Sequence, residues 1–353
     1  MQILNKTVLI APLNWGLGHA TRSIVIIKAL LDLKYNVIIA SDGIALQFLK
    51  AEFPDLLFLE LPSYNISYAK KTFFFKLKLM AQFFSVYKSV QAEKKMIEKW
   101  IALYKIDILI SDNRFGVYSA QIPSIYITHQ LRVFSGITTG ITSLFHQQII
   151  KKFTSCWVPD FDNFEHSLAG KLSQSNKLTV SKIGPLSRLK KENIDEVIDV
   201  LFLVSGPEPQ RSILENLFRK EIEKNTHLRL VLVGGLLEEQ QRIEVTDLVT
   251  YYNYATSSQI ETLMNSSKQI VCRSGYSTIM DLCALQKKAL LIPTPGQDEQ
   301  LYLASYLQEK QFLPFVAQNK FTFENLDLIK NYKGLPYQNT LDTALTNQIL
   351  TDF

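Results

Sequence analysis

The sequence predicts an α/β protein of two domains, each built on a parallel β-sheet with helices on its faces. The chain has 353 residues, which suits two domains, and 47% of them are hydrophobic, enough for two cores. Short apolar runs alternate with longer amphipathic stretches in both halves. A polar stretch that ends in Gly184-Pro185 separates the halves, so we expect the domain boundary after Ser187.

Five apolar runs in the first half predict buried strands, because they are short and rich in β-branched residues. These runs are Thr7–Ala11, Asn36–Ala40, Leu56–Leu61, Ile106–Ile110 and Ser124–Thr128. Helical spacing of apolar residues predicts helices over Thr21–Lys34 and Leu79–Tyr104. Strands that alternate with helices indicate βαβ units, and therefore a parallel sheet.

The second half repeats this pattern of strands and helices. Its predicted strands are Asp199–Val204, Leu228–Val233, Gln269–Cys272 and Ala289–Ile292. Its predicted helices are Ile213–Lys224, Gln259–Asn265, Thr278–Leu285 and Asp298–Lys310. Ligands of open parallel sheets bind beyond the carboxyl ends of the strands, so two such sheets predict a central cleft.

Composition excludes several classes of protein. The cysteines, Cys156, Cys272 and Cys283, are too few and too scattered for a disulfide framework or a zinc site, and they suit a reducing compartment. The N-terminus lacks the pattern of a secretory signal, and no run of about 18 apolar residues predicts a transmembrane helix. A net charge of +5 does not require nucleic acid as a partner. We therefore expect a cytoplasmic protein.

Polar residues follow several strands of the first half. The first strand leads into a glycine-rich turn, Gly16–His19, that opens a helix, and backbone N–H groups there favour an anion. His19 suits proton transfer near neutral pH, although a tight turn with a helix-capping histidine explains the same residues. Asp112 and His129-Gln130 follow two later strands, and helix capping or a structural histidine is the alternative there.

Three strand-to-helix turns of the second half offer groups for a phosphate and a sugar. Ser205-Gly206 follows one strand, and Arg273-Ser274-Gly275 follows another. Asp281 lies on the predicted helix that follows Arg273-Ser274-Gly275, where its carboxylate suits the hydroxyls of a ribose. The alternative is an exposed acidic residue on the face of that helix. The stretch Pro293–Gln300 adds amide and carboxylate groups.

The segment Ala69–Val90 contains five lysines and six aromatic residues but no acidic residue. Such a composition suits contact with an anionic membrane or a lipid tail. A long core helix whose lysines line the wet face is the alternative. The segment alone carries the charge of +5, so the rest of the chain is close to neutral.

The second half resembles the donor domain of glycosyltransferase family 28, whose members have the GT-B fold of two Rossmann-like domains. The resemblance rests on Gln269–Gly275 followed by Thr278, Asp281, Pro293, Asp298 and Gln300, which match the family signature in order and spacing. Gly16–His19 is similar to the GxGH motif of the family's first domain. The resemblance implies an acceptor domain over 1–187, a donor domain over 188–336, and a C-terminal segment, 337–353, that packs back on the first domain.

The resemblance implies inverting transfer of N-acetylglucosamine or another hexose from a UDP-sugar to a lipid-linked or cell-envelope saccharide. We expect His19 to be the base, with Asp112 as the second candidate. Donor-binding residues are expected to be Arg188, Ser205, Gly206, Tyr254, Arg273, Ser274, Gly275, Asp281, Asp298 and Gln300. Gly16, Gly18, His129 and Gln130 are expected on the acceptor and diphosphate side.

The expected partners are the UDP-sugar, the acceptor and an anionic membrane, contacted through Ala69–Val90 at the inner face of the cytoplasmic membrane. We expect no cofactor and no metal; Asp160-Phe161-Asp162 matches a short DxD string that binds a metal in some sugar-nucleotide enzymes, but no further ligand accompanies it.

Three departures from the family pattern concern specificity. Leu301 replaces a second glutamine, which puts N-acetylglucosamine specificity in question, and Pro207 reduces the N–H groups of the phosphate loop. His129-Gln130 resembles an HEQN turn without its glutamate, which points to an acceptor other than lipid I. Two alternatives stay open: a sugar-nucleotide 2-epimerase of the same fold, and a non-catalytic nucleotide-sugar-binding partner of another transferase.

Overall fold

A computed structural model describes residues 6–64, 72–225, 227–236, 240–337 and 341–353 of the chain, without the side chains of 72–84, 137 and 341–342. Contacts divide the chain into two units. The first unit consists of Met1–Leu186 and Asn339–Phe353, and the second unit is Ser187–Gln338. Each unit has a β-sheet of its own, as the alternating pattern predicted.

The described strands of the first unit form one fully parallel sheet. They are β1 (Thr7–Pro12), β2 (Asn36–Ser41), β3 (Leu57–Glu60), β4 (Ile108–Asp112), β5 (Ser124–Ile127), β6 (Ser155–Val158) and β7 (Ser181–Lys182). Their order is β3-β2-β1-β4-β5-β6-β7. The order reverses between β1 and β4, and the carboxyl ends of the strands at such a reversal are the usual place for a ligand.

Four helices connect these strands: α1 (Gly18–Asp32), α2 (Gly43–Glu52), α3 (Thr72–Tyr104) and α4 (Thr139–Ile150). Helix α3 begins seven residues earlier than the apolar spacing predicted, at Thr72 instead of Leu79. In the segment Ala69–Val90, residues 69–71 lie outside the described residues, and so do the side chains up to residue 84. None of the described helices is long and apolar enough to span a membrane.

The second unit has a sheet with one antiparallel edge. Its strands are β8 (Ile198–Leu203), β9 (Leu230–Val233), β10 (Ile243–Val245), β11 (Val249–Tyr252), β12 (Ser267–Cys272) and β13 (Ala289–Leu291), in the order β10-β11-β9-β8-β12-β13. Its helices are α5 (Gln210–Ile222), α6 (Ser257–Asn265), α7 (Tyr276–Leu285) and α8 (Asp298–Glu309). The described pairs of this sheet are parallel, as predicted, except that β10 forms an antiparallel hairpin with β11.

Aromatic packing joins the second sheet to its helices. Phe202 of β8 is fully buried, and its ring centroid lies 4.8 Å from that of Phe218 on α5. Phe321, from the stretch after α8, packs edge-on against Phe218 at 5.4 Å. Burial of large aromatic side chains contributes most of the stability of such a core. The core therefore fixes the carboxyl end of β8 and the start of α5.

The last helix, α9 (Leu341–Asp352), belongs to the first unit. Asp352 accepts hydrogen bonds from Trp157 Nε1 at 2.7 Å and from Ser155 Oγ at 3.0 Å, both on β6. The ring of Phe353 stacks on that of Trp157, and its carbonyl oxygen accepts a hydrogen bond from Lys6 Nζ. The end of the chain is thus tied to β6 and to the residue before β1.

We expect Asp352→Ala to lower the free energy of unfolding of the first unit by about 1–3 kcal/mol, because it leaves the buried Trp157 N–H without its acceptor. All three tryptophans, Trp15, Trp100 and Trp157, lie in the first unit, so urea unfolding followed by tryptophan fluorescence reports it selectively. Asp327→Ala, at an exposed ion pair of the second unit, is the matched control. An equal shift in both variants would contradict the prediction.

Candidate functional site

Two of the predicted site residues meet at the reversal point of the first sheet. β1 and β4 are neighbours there, and their register pairs Pro12 with Asp112. Asp112 is the last residue of β4 and is fully buried. His19 lies in the first turn of α1, and its Nδ1 is 2.8 Å from Asp112 Oδ1. The strand-end positions in the sequence therefore become a histidine–carboxylate pair.

Arg22 completes this group, and sequence reasoning did not assign it to the site. Its Nε donates to Asp112 Oδ2 at 2.6 Å, and its Nη2 donates to Asp112 Oδ1. The same Nη2 lies 2.8 Å from His19 Nδ1. Arg22 follows His19 by three residues on α1, a spacing that puts both side chains on one helix face. We call His19, Arg22 and Asp112 the Asp112 cluster.

Electrostatics assign different states to the two titratable members of the Asp112 cluster. Burial raises the pKa of Asp112, but the charges and hydrogen bonds of Arg22 and His19 bring it down to about 2. Burial lowers the pKa of His19 below its ordinary 6.5, and Arg22 lowers it further, while Asp112 opposes both. At neutral pH Asp112 is therefore an anion and His19 is a neutral ring that accepts a proton.

The other residues predicted for the acceptor side lie at the same edge of the sheet. His129 follows β5, and Arg22 Nη1 reaches within 3.5 Å of its Nδ1. The backbone N–H of Gln130 donates to Thr128 Oγ1 at 3.0 Å. Gly16 has a φ of +73°, which favours glycine, and a Cβ added there would meet no atom within 4 Å. Gly18 starts α1, whose N-cap Leu17 provides no side-chain cap.

A second buried ion cluster supports the turn after β4. Arg114 donates to Glu93 of α3 at 2.6 Å and to Asp42, before α2, at 2.7 Å. Glu93 also accepts from Tyr64 Oη at 2.7 Å and from the N–H of Gly116 at 3.0 Å. Burial raises the pKa of Glu93, whereas Arg114 lowers it. This network fixes the backbone around Asp112.

In the second unit, the predicted donor residues gather at the carboxyl edge of the sheet. Ser205 and Gly206 follow β8, Arg273-Ser274-Gly275 follows β12, and Asp298 and Gln300 follow β13, three strands adjacent in the sheet. Helices α5, α7 and α8 begin at this edge without a side-chain hydrogen bond from their N-cap residues. Their first N–H groups suit the oxygens of a diphosphate.

Asp281 and Arg188 lie near each other in the second unit. Asp281, on α7, accepts a hydrogen bond from Ser187 Oγ at 2.6 Å. Burial raises the pKa of Asp281, while the charge of Arg188 lowers it. Arg188 Nε donates to Ser257 Oγ, at the start of α6, at 2.9 Å. Sequence reasoning missed Ser187, which positions the carboxylate expected to bind the ribose.

Several donor-side residues also hold the loops together. Arg273 is only 1% exposed and donates to the carbonyl oxygens of Ile292, Pro293 and Gln210 at 3.0–3.3 Å. Burial lowers the pKa of Arg273 to about 10. The Arg273 guanidinium therefore connects the turns after β12 and β13 to the start of α5.

Gln300, Ser274 and Tyr254 make further bonds of this kind. Gln300 Oε1 accepts from the N–H of Thr294 at 2.9 Å, and Ser274 Oγ donates to the carbonyl oxygen of Gln300 at 2.8 Å. The carbonyl oxygen of Tyr254, after β11, accepts from Gln241 Nε2 at 2.8 Å. Each of these bonds fixes the backbone near the carboxyl edge of the second sheet.

The DxD string has a structural environment. Asp160 is fully buried and accepts hydrogen bonds from the hydroxyls of Ser167 and Ser173, both at 2.6 Å. The N–H groups of Leu168 and Phe161 donate to it at 2.8 and 2.9 Å. Among the described residues, no group of three or more His, Cys, Asp or Glu side chains is arranged to hold a metal ion.

Comparison with known sequences gives relatives over most of the chain. Residues 204–333 match the glycosyltransferase family 28 C-terminal domain. The UDP-N-acetylglucosamine–N-acetylmuramyl-(pentapeptide) pyrophosphoryl-undecaprenol N-acetylglucosamine transferase of Clostridium tetani is 23% identical over 93% of both chains. The enzyme of the same name from Clostridium perfringens strain SM101 is 24% identical over 90% of this chain and 87% of its own.

Solved structures show the same architecture. The glycosyltransferase of kitacinnamycin superposes with a TM-score of 0.63 at 13% identity, over 97% of this chain and 93% of its own. MurG of Acinetobacter baumannii gives a TM-score of 0.52 at 14% identity, over 99% of this chain and 94% of its own. These likenesses confirm the predicted fold, and the match to residues 204–333 confirms the resemblance to family 28. The chain is a glycosyltransferase with the GT-B fold, and its residues 204–333 match the glycosyltransferase family 28 C-terminal domain.

Proposed function

We propose that this enzyme transfers N-acetylglucosamine from UDP-N-acetylglucosamine, with inversion, to a hydroxyl of a lipid-linked saccharide. The donor and the acceptor class follow from the names of the Clostridium relatives, which align with about nine-tenths of the chain. The observation that carries the chemistry is the Asp112 cluster at the strand-order reversal of the first sheet. It supplies a neutral histidine held by a buried carboxylate, which is the arrangement of a general base.

The proposed step forms one bond and breaks another. His19 Nε2 takes the proton of the acceptor hydroxyl while that oxygen attacks the anomeric carbon of the donor. The bond from the anomeric carbon to the β-phosphate oxygen breaks, and UDP leaves with the electron pair. This role assigns a proton to His19 Nδ1, with Asp112 Oδ1 as its acceptor at 2.8 Å, so that the carboxylate stabilises the positive charge that develops on the ring. Arg22 Nη2, 2.8 Å from the same nitrogen, then acts on it as a nearby charge and not as a hydrogen-bond donor. The pKa of about 2 favours this orienting role for Asp112 over that of a base.

The charge that builds on the leaving diphosphate needs cationic or N–H groups. We assign this role to Arg188, whose planar guanidinium suits phosphate oxygens, together with the first N–H groups of α5 and α7. Ser205 and Gly206 border α5, and the φ of +106° at Gly206 favours glycine. Arg273 acts indirectly, through the loops that it connects.

Asp281 is proposed to bind the two hydroxyls of the ribose. Ser187 Oγ occupies only Oδ1 of the carboxylate, so Oδ2 is not part of that bond. A carboxylate that reads the 2′-hydroxyl distinguishes UDP from dTDP, which lacks this group.

We propose peripheral contact with an anionic membrane to reach a lipid-linked acceptor. Of the segment Ala69–Val90, the described side chains include Tyr87 and Lys88, both exposed. Helix α4 adds a described apolar face. Ile141, Leu144 and Phe145 are 75%, 50% and 58% exposed, and their spacing places them on one side of the helix.

The surroundings of this face favour anionic lipid. Residues 113–159 contain no aspartate or glutamate. Arg132 precedes α4 and Lys151-Lys152 follows it, and all three cations are exposed. Apolar side chains that enter the membrane interface beside basic residues bind anionic bilayers in two ways. The apolar side chains are buried among the lipids, and the basic residues are attracted to the anionic headgroups.

We expect His19→Ala to lower kcat by about 10²–10⁴-fold, the scale of a lost general base. Binding of UDP should not change, because the donor residues belong to the second unit. Transfer kinetics with UDP-N-acetylglucosamine and calorimetric titration of UDP measure the two effects. His227→Ala, at an exposed histidine of the second unit, is the control. Loss of UDP affinity in His19→Ala would reassign His19 to binding.

We expect Asp281→Asn to weaken UDP binding by roughly ten- to hundredfold, the scale of a lost hydrogen bond to a charged group. Binding of dTDP should weaken less, because it has no 2′-hydroxyl. Calorimetry with both nucleotides gives the ratio of their dissociation constants. Asp247→Asn, at an exposed acid of the same unit, should leave the ratio unchanged. Equal losses for UDP and dTDP would refute the ribose assignment.

We expect the double variant Ile141→Ser, Leu144→Ser to bind vesicles of phosphatidylglycerol at least about tenfold more weakly, the effect of losing roughly one buried apolar side chain. Cosedimentation measures this binding. Val245→Ser, at an exposed residue of β10 in the second unit, is the matched control. If the double variant and the control sediment alike, α4 does not contact the membrane.

A further inference from the structure

Arg22 has no place in the proton transfer itself, yet it is the most extensively bonded member of the Asp112 cluster. Its guanidinium holds both oxygens of Asp112 and approaches Nδ1 of His19 and Nδ1 of His129. Arg22 is 4% exposed and Asp112 is fully buried. Burying a long charged side chain is costly, and Arg22 is buried beside the proposed reaction centre. We therefore asked what Arg22 does for His19 and Asp112.

A buried histidine–carboxylate pair has an internal conflict. The carboxylate orients the ring, but its negative charge also stabilises the protonated ring, commonly by one to three pKa units when the charges lie within a few ångströms. A base that is already protonated accepts no proton. A carboxylate buried without a counter-charge would also be costly to the fold. The pair therefore needs a nearby cation that balances the charge of the carboxylate, so that the ring stays neutral and the carboxylate stays ionised.

Three groups face His19 and determine its charge state. Asp112 of β4 favours the protonated ring, whereas Arg22 of α1 and His129 after β5 disfavour it. Arg22 is the closest cation, with Nη2 at 2.8 Å from Nδ1. Its bidentate geometry on Asp112 leaves the carboxylate ionised and fixes its plane.

We propose that Arg22 is a positioning residue for the base: it balances the charge of Asp112, so that the carboxylate orients His19 while the ring stays a neutral proton acceptor. This inference rests on the proposed role of His19. The neutral, oriented form of His19 then depends on all three side chains of the Asp112 cluster. Two of them, His19 and Arg22, lie one helical turn apart on α1.

Arg22→Gln tests the proposal by its pH profile. Without the guanidinium, the charge of Asp112 is no longer balanced by its closest cation, so the pKa of His19 rises. The acid limb of kcat/KM moves up by about one pH unit or more, the usual effect of one close charge. The rate at pH 6 then falls more than the rate at pH 8, by up to about tenfold for a shift of one unit. NMR titration of histidine-labelled protein follows the ring directly, without activity.

Two further variants separate charge from geometry. Arg22→Lys keeps the positive charge but loses the bidentate contact with Asp112. We therefore expect a lower kcat, while the acid limb of the kcat/KM profile stays within about half a pH unit of its wild-type position. The pair Arg22→Gln, Asp112→Asn removes both charges. We expect its limb to stay at or below the wild-type position, with kcat lowered because the ring is less well oriented. Arg219→Gln, at an arginine of the second unit, is the control, and tryptophan fluorescence reports folding of the first unit.

The outcomes are distinguishable. If Arg22→Gln lowers activity but leaves the NMR pKa and the limb unchanged, Arg22 is only structural and the proposal is overturned. Should Arg22→Gln fail to fold, an upward shift of the limb in the double variant overturns it equally. If the limb of the wild type does not follow the NMR titration of His19, the proposed function of His19 fails instead, whatever the arginine variants show.

Discussion

The buried ion pair between Arg22 and Asp112 is the interaction on which the site of the first unit depends. It joins α1 to β4 across the point where the strand order reverses, and it holds His19 in place from both sides. Removing one member of such a pair would leave an uncompensated charge inside the protein, at a cost of several kcal/mol. We therefore expect substitution of Arg22 or Asp112 alone to disturb the first unit more than substitution of both residues together.

A second buried pair, Arg114 with Glu93, lies beyond the same strand and has a different consequence. Glu93 sits deep in the long helix α3, and Arg114 follows Asp112 by two residues. The segment with lysines and aromatic residues is therefore part of a helix that is bonded to the backbone of the turn after Asp112. A buried polar network stabilises the fold only when its polar atoms have hydrogen-bond partners, because an unpaired buried polar atom destabilises it. In this network both carboxylate oxygens of Glu93 accept hydrogen bonds.

The sequence predicted the strands that are buried on both sides and the turns that follow them, and so located His19, Asp112 and the donor loops. It did not reveal Arg22, because an arginine in the first turns of an amphipathic helix has the same appearance whether it points to water or to a carboxylate 90 residues away. Strand β6, Ser155–Val158, has only four residues and is too short for a periodicity signal. Strand β10 is exposed at the edge of the second sheet, where no apolar pattern is required.

The course of the chain through the two units bears on biosynthesis. The first unit is discontinuous: residues up to Leu186 are made first, the whole second unit follows, and α9 comes last. Until Asp352 has been synthesised, the N–H of Trp157 on β6 lacks this acceptor. The second unit is continuous and has all of its partners earlier. We infer that a nascent chain completes its second unit before its first unit, although most of the first unit is translated earlier.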